Sequence, residues 1–267
     1  MESNLSAAPK SPQELKAIEQ ELRLTVATAG AILYHLGLAD YMGHVSARVP
    51  GTERIIIKPR HSPSVHGMGT VAPERMIVID FEGKLIEGND GPPAEKWIHT
   101  EIYKKRPDVG GVIHTHQMMS VAFGVAERPI LPLLATEAPL VAKPIPFYRD
   151  PDLVDNADKG RALAEALGDH EVVHIQNHGV VFASPTPEEA TLASIHLERL
   201  ALLNFFSAQI GTPNVIPKEK IDHMLKGPRV NYGVRWGYYK SLLETGALSA
   251  REVSGAPPLF QHLNMTK

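Results

Sequence analysis

Gly-Val-Ile-His-Thr-His, residues 111 to 116, is the stretch whose residue types and spacing point most directly to chemistry. In an extended segment side chains alternate between faces, so His114 and His116 point one way and Thr115 the other. Two imidazoles on one side make half a metal site. Neutral imidazole suits zinc and other first-row divalent ions, and a catalytic site usually keeps three protein ligands and a position open to water or substrate. The best third ligand is His178 in Ile-Gln-Asn-His-Gly, because Val172 to Ile175 reads as a second buried strand and Gly179 permits a close turn after it. Pro92-Pro93-Ala94-Glu95-Lys96-Trp97-Ile98-His99 puts Glu95 on the first turn of a helix, about one turn before His99, which supplies an acid/base group.

Each piece has an ordinary explanation when taken alone. In a chain with 13 histidines a His-X-His pair arises by chance, and Glu95 fits a helix-start carboxylate favoured by the dipole. The combination is more specific. Gly43-His44-Val45-Ser46-Ala47-Arg48, then Ala94-Glu95-Lys96-Trp97-Ile98-His99, then Arg106-Pro107-Asp108 leading into Val112-Ile113-His114-Thr115-His116, then Asn177-His178-Gly179, resemble the class II aldolase and adducin family in order and spacing. The resemblance extends over residues 14 to 210. It implies that His114, His116 and His178 are the ligands of one divalent ion per subunit (Zn2+, Mn2+, Fe2+ or Co2+). It further implies that Glu95 is the acid/base, able also to touch the metal, and that the chain assembles as a homotetramer. The implied fold is α/β, a three-layer α/β/α arrangement with a central mixed or antiparallel sheet flanked by helices.

The whole chain is compatible with that fold. Its 267 residues, 43% of them hydrophobic, suffice for one large domain with a sizeable core. Apolar runs are far shorter than the ~20 residues of a membrane span, and the N-terminus lacks a signal-peptide pattern, so no membrane partner is expected. The absence of cysteine excludes a disulfide frame and a thiol nucleophile and fits the cytoplasm. A net charge of -3 argues against nucleic acid as a partner.

The elements follow from caps and periodicity. Residues 1 to 10 read as a disordered leader and residues 11 to 212 as the catalytic domain. Ser11-Pro12-Gln13-Glu14 opens a long helix with Leu15, Ile18, Leu22, Val26, Ala29, Leu33 and Leu36 at helical spacing; Tyr34 and His35 near its end are packing and surface residues. Strands are expected at Val45 to Val49, Arg54 to Lys58, Met76 to Asp80 and Lys84 to Ile86. Helices follow at 117 to 125 and at Asp150 to Leu167, with residues 129 to 147 irregular between them. Thr186-Pro187-Glu188-Glu189 caps a second long helix whose apolar stripe is Ala190, Ala193, Leu197, Leu200, Ala201 and Phe205. His196 on this helix competes for the third-ligand role, but an exposed face explains it and the resemblance favours His178. Residues 213 to 267 form a helical extension carrying Arg229, Tyr232, Arg235, Trp236, Tyr238 and Tyr239. It either docks on the core or a neighbouring subunit, or acts as a lid over an anionic aromatic substrate.

The substrate pocket departs from the sugar-phosphate aldolases of the family. Those typically hold phosphate with Gly-Asn in the first loop, a Thr-Gly loop after the following strand and a Ser-Ser pair before the acidic residue. The matching places here read Gly43-His44, Lys58-Pro59-Arg60-His61-Ser62 and Pro93-Ala94, and Leu134 to Glu137 lacks the tyrosine that some members bring from an adjacent subunit. Lys58 and Arg60, with His44 and His61, suit carboxylates, although a solvated basic strand end has the same composition. Expected substrate contacts are therefore Gly43, Lys58, Arg60, His61 and Ser62, with His44 or His61 a second proton donor beside Glu95. The reaction expected of such a site is metal-dependent carbon-carbon cleavage of a small anionic molecule. Decarboxylation of a hydroxylated aromatic (di)carboxylic acid ranks first, aldol cleavage of a hydroxy-keto substrate second. An adducin-like interaction module without catalysis ranks last, because it has no need of an intact triad.

Overall fold

The computed structural model describes residues 11–226 and 232–254. In chain order the elements are α1 (Pro12–His35), β1 (His44–Arg48), β2 (Arg54–Ile57), β3 (Ile77–Asp80), β4 (Leu85–Glu87), α2 (Lys96–Lys105), β5 (Gly111–Thr115) and α3 (Met118–Val125). They continue with β6 (Phe147–Tyr148), α4 (Ala157–Leu167), β7 (Val172–Ile175), β8 (Gly179–Ser184), α5 (Pro187–Ile210), α6 (Lys218–Lys226), α7 (Tyr232–Glu244) and α8 (Arg251–Ser254). The expected leader and Arg229 lie outside the described residues. No helix among the described residues is long and apolar enough to cross a membrane.

The eight strands form one mixed sheet in the order β4-β3-β2-β1-β5-β8-β7-β6, antiparallel throughout except for the β6–β7 pair. Strand alternation sorts its side chains between two cores. Val45, Ala47, Ile56, Ile113, Val180 and Phe182 face α1 and α5. Their neighbours Ile55, Ile57, Val112, Val181 and Ala183 face Ile98, Ile102 and Tyr103 of α2 and Leu163 and Leu167 of α4. Burial on both faces makes the α/β/α sandwich, since neither face of the sheet is left to water.

Both long helices begin where their caps place them. Ser11 Oγ accepts from the Glu14 amide at 3.1 Å and Thr186 Oγ1 from the Glu189 amide at 3.1 Å, each with proline next in the chain. Two expectations need correction. The helix expected from Asp150 starts at Ala157, because Asn156 takes the cap and accepts from the Lys159 amide at 3.0 Å. The stripe expected on α5 holds to Ala201, whereas Phe205 is 45% exposed; from Ala190 to Glu198 the helix is buried on every side. The described part of the C-terminal extension docks on the core: α7 packs on α1 and α5, with Tyr239 buried and Trp236 packed against the apolar cluster.

Core and cap contributions differ in size. Phe182→Ala, at a fully buried position between β8 and α5, is expected to cost about 3–5 kcal/mol, and Thr186→Ala about 1 kcal/mol. Urea unfolding midpoints of the two variants measure the difference, and the order Phe182 over Thr186 is the outcome to check.

Candidate active site and metal centre

Sheet register brings the reactive residues together. β1 and β5 pair with His44 opposite His114, and by strand parity both rings share the α2 face with Ser46 and Val112. His116 lies just past the end of β5. The segment after it is tied down by buried Gln117, which donates to the Ser194 carbonyl at 3.0 Å, and by Glu198 of α5, which accepts from the Met119 and Ser120 amides at 2.8 and 2.9 Å. His178 sits in the tight β7–β8 connection, where Asn177 takes the left-handed conformation at φ 55°. Gly179 matters for a different reason from the turn expected of it: a Cβ there would lie 2.7 Å from both the His114 and the His116 rings.

One ligand nitrogen from each of His114, His116 and His178 lies within 4.8 Å of the others, and His114 Nε2 faces His116 Nε2 at 3.0 Å. The donor chemistry fits a divalent ion. His114 Nδ1 must donate to the Val180 carbonyl at 3.1 Å, which leaves Nε2 as the bare lone pair turned toward the other rings. Burial, above all, holds His114 well below the ordinary imidazole range and lowers His116 as well, so both stay neutral and able to ligate. His178 Nδ1 is buried with no hydrogen-bond partner.

Glu95 closes the cluster. It is the residue immediately before α2 rather than a member of its first turn, and its side chain does not cap the helix. Instead Oε1 accepts from the Val154 amide at 3.1 Å, with Oε2 3.8 Å from His44 Nε2 and from His114 Nε2, and Oε1 3.7 Å from His178 Nε2. Burial pushes this carboxyl up, but the facing His44 and the neighbouring imidazoles pull it down by more, and it is held ionised.

Behind His44 runs a buried chain that the sequence reading did not assemble. His44 Nδ1 meets His99 Nε2 at 2.7 Å, His99 Nδ1 meets Ser46 Oγ at 2.6 Å, and Ser46 Oγ meets the Tyr103 hydroxyl at 2.8 Å. The signal was available in two periods, 44 and 46 on a strand, 99 and 103 on a helix.

A cavity of about 710 Å3 opens over the cluster and is lined by Gly43, His44, Lys58, Arg60, His61, Glu95, His116 and His178. Gly43 lies at φ 88°. Lys58 is buried, donates to the Pro59 carbonyl at 3.2 Å, and is pushed down to about 8 by desolvation. Arg60 and His61 are exposed at the cavity wall. Ser62 is not part of the lining; it pairs with Val65 in a local turn and its hydroxyl meets Ser64. The exposed face expected for His196 is also corrected. That ring is buried, Arg235 of α7 donates to its Nε2 at 3.1 Å, and burial, then the Arg235 charge, pulls it down to about 3. No described residue of the C-terminal extension lines the cavity.

Known proteins resemble this chain in sequence and in fold. The chain is 32% identical over 192 residues to 3,4-dihydroxyphthalate decarboxylase of Arthrobacter keyseri, covering 68% of this chain and 77% of that one. It is 30% identical over 227 residues to the enzyme of the same name from Terrabacter sp. (strain DBF63), covering 80% and 93%. The fold of L-fuculose 1-phosphate aldolase from Glaciozyma antarctica PI12 superposes with a TM-score of 0.75 at 19% identity, covering 92% of this chain and 98% of that one. Residues 25–205 match the model of the Class II Aldolase and Adducin N-terminal domain, and the chain belongs to that family.

Proposed function

We propose that the protein is a divalent-metal-dependent carbon-carbon lyase that decarboxylates a hydroxylated aromatic (di)carboxylic acid. The observation that carries the reading is a buried, ionised carboxylate, Glu95, within 3.8 Å of ring nitrogens of His44, His114 and His178 at the floor of a cavity with a buried cation in its wall. The names of the two decarboxylase relatives denote a substrate of this class. His114, His116 and His178 are the residues to hold the ion, and a bound ion would supply Lewis-acid stabilisation of the electron pair left when the carbon-carbon bond breaks. The rest falls to the chain itself. Because Glu95 rests as a carboxylate, it acts first as a base toward a substrate hydroxyl; it then returns that proton to the ring carbon as carbon dioxide departs, which balances the reaction without a co-reactant. Lys58 and Arg60 meet a carboxylate, and His44 faces Glu95 as a second donor. We place the enzyme in the cytoplasm as a homotetramer, for which exposed Phe206 and Ile210 offer apolar surface to bury.

Aldol cleavage is the second reading, and the fold likeness to a sugar-phosphate aldolase favours it. Against it stand Pro93 and Ala94 beside Glu95, which present no hydroxyl to a phosphate. A non-catalytic module gives no reason to gather four imidazoles, two of them buried, around a buried carboxylate.

His116→Ala is expected to lose both stoichiometric metal and turnover, read by elemental analysis and carbon dioxide release; full metal occupancy would remove His116 from the ligand set. Glu95→Gln is expected to keep its metal while turnover falls by roughly 10²–10⁴, and wild-type rates would exclude Glu95 as the acid/base.

Arg60→Ala is expected to weaken an ortho-hydroxy aromatic dicarboxylate by about 1.5 kcal/mol, the low end for a charged hydrogen bond because Arg60 is exposed. The monocarboxylate analogue, lacking the group Arg60 holds, is expected to bind the variant as it binds the wild type. Titration calorimetry compares the two, and rapid cleavage of a sugar phosphate would reverse the ranking of the reactions. Lys58 gives a pH signature. Its amine is a cation below about 8 and neutral above, so dicarboxylate affinity is expected to fall as pH rises through that region, and the fall to vanish in Lys58→Met.

A further inference from the structure

We propose that His99 is a positioning residue that holds His44 in the tautomer with its proton on Nε2, aimed at Glu95 and the cavity. His99 is fully buried on α2, is not among the residues that line the cavity, and meets the lining residue His44 at 2.7 Å. Burial holds its ring well below the ordinary range, so it is neutral and carries a single proton shared between two short contacts, 2.7 Å to His44 Nδ1 and 2.6 Å to Ser46 Oγ. The chain of donors can therefore run in only two directions.

Run inward, His44 donates to His99, His99 to Ser46 and Ser46 to Tyr103. The last proton must then end either on the Gly110 carbonyl, 3.4 Å from the Tyr103 hydroxyl, or, if Ser46 turns away from Tyr103, on the Val112 carbonyl 3.5 Å from Ser46 Oγ, and both are long for such a bond. The same direction strips Nε2 of His44 of its proton and turns a lone pair toward the Glu95 carboxylate 3.8 Å away. Run outward, Tyr103 donates to Ser46 at 2.8 Å, Ser46 to His99 Nδ1 at 2.6 Å and His99 Nε2 to His44 Nδ1 at 2.7 Å. Every bond is then short, and His44 turns an N–H toward an anion. The outward direction wins on both ends. A ring nitrogen's proton is set by what the other nitrogen bonds, and here that partner is His99.

Tyr103 also decides what the chain does not do. Burial pushes its phenol well up, so it keeps its proton, and the chain orients His44 without feeding protons to it. The consequence is a fixed donor beside Glu95, ready for an oxygen of an anionic substrate. As a contribution to turnover this rests on the reading of the site given above; the tautomer itself does not.

The test uses protein labelled with 15N-histidine and loaded with Zn2+, in which long-range 1H–15N correlations report each ring's tautomer and His44→Gln identifies the His44 signals. The wild type is expected to carry the His44 proton on Nε2. His99→Gln, which keeps an N–H donor at the same place, is expected to retain that state and most of kcat. His99→Leu is expected to let His44 exchange between tautomers and to lower kcat for carbon dioxide release about 10- to 100-fold, with a smaller change in KM. A wild-type proton on Nδ1, or an unchanged His44 tautomer in His99→Leu, overturns the proposal. If the leucine variant fails to fold, the wild-type and glutamine spectra still decide. If the spectra come out as expected while the wild type releases no carbon dioxide from any hydroxyaromatic acid, the tautomer stands and the substrate reading falls.

Discussion

Everything at the centre of this molecule is arranged around burying one carboxylate. Glu95 is 7% exposed, and taking an ionised carboxyl out of water costs several kcal/mol unless hydrogen bonds and opposite charge replace the lost hydration. The chain supplies the Val154 amide from one side and the His44 ring from the other, while the neutral His114 ring and the His178 ring stand 3.8 and 3.7 Å away. That requirement reaches far. Val154 precedes α4, so α4 has to pack closely on α2 for its amide to reach Glu95, and the rings come from β1, β5 and the β7–β8 turn. Residues from β1, β5, the β7–β8 turn and the segment before α4 therefore converge on two oxygens. A bound divalent cation would relieve the same cost, which on the proposed reading is why His114, His116, His178 and Glu95 occupy the same few ångströms.

Strand parity explains how so many rings share one place without crowding the core. A strand offers alternate residues to opposite faces, so Val45 and Ala47 enter the core under α1 while His44 and Ser46 turn toward α2. The His44–His114 register then sets two imidazoles side by side, with ring centroids 5.2 Å apart. On α2, His99 and Tyr103 stand four apart and present one face to that row. A one-residue slip of β1 would send His44 and Ser46 into the apolar core and leave Glu95 and His99 without partners. The register is thus fixed by polar demands as well as by the apolar pattern.

Much of this was legible in the sequence, and the failures have a common cause. Caps at Ser11 and Thr186 and the alternation of His114 and His116 are local signals, so they marked both long helices and two of the three histidines. Glu95 was found, but its bond to Val154 spans 59 residues and no local pattern encodes it. His196 was misread because helical spacing puts it on a face that is covered only when α7 folds back, bringing Arg235 to its Nε2 across 39 residues. The start of α4 was placed too early although Asn156 is a cap residue, because the acidic run after Asp150 suits a first turn equally well. Ser62 was grouped with Lys58 and Arg60 by nearness in the chain; the turn it forms with Val65 removes it from the wall.

On the proposed reading the two cations of the cavity wall divide recognition between them. Lys58 is buried, has given up much of its hydration and, among the described residues, bonds a backbone carbonyl and no carboxylate, so an incoming anion meets a charge that is already desolvated. Arg60 sits exposed at the mouth, where water screens it, and holds an anion less tightly than the same contact would if buried. A compact dianion such as phosphate would need both cations and several hydroxyl donors at one point, and the Pro93-Ala94 corner provides none of the latter. A flat acid with separated oxygens places one anionic group at the Lys58 wall and another near the histidines. The uncharged ring between them then lies against a surface that need offer no hydrogen bonds. On the proposed reading the cavity therefore favours anionic groups held apart on a rigid frame, as in a substituted aromatic acid.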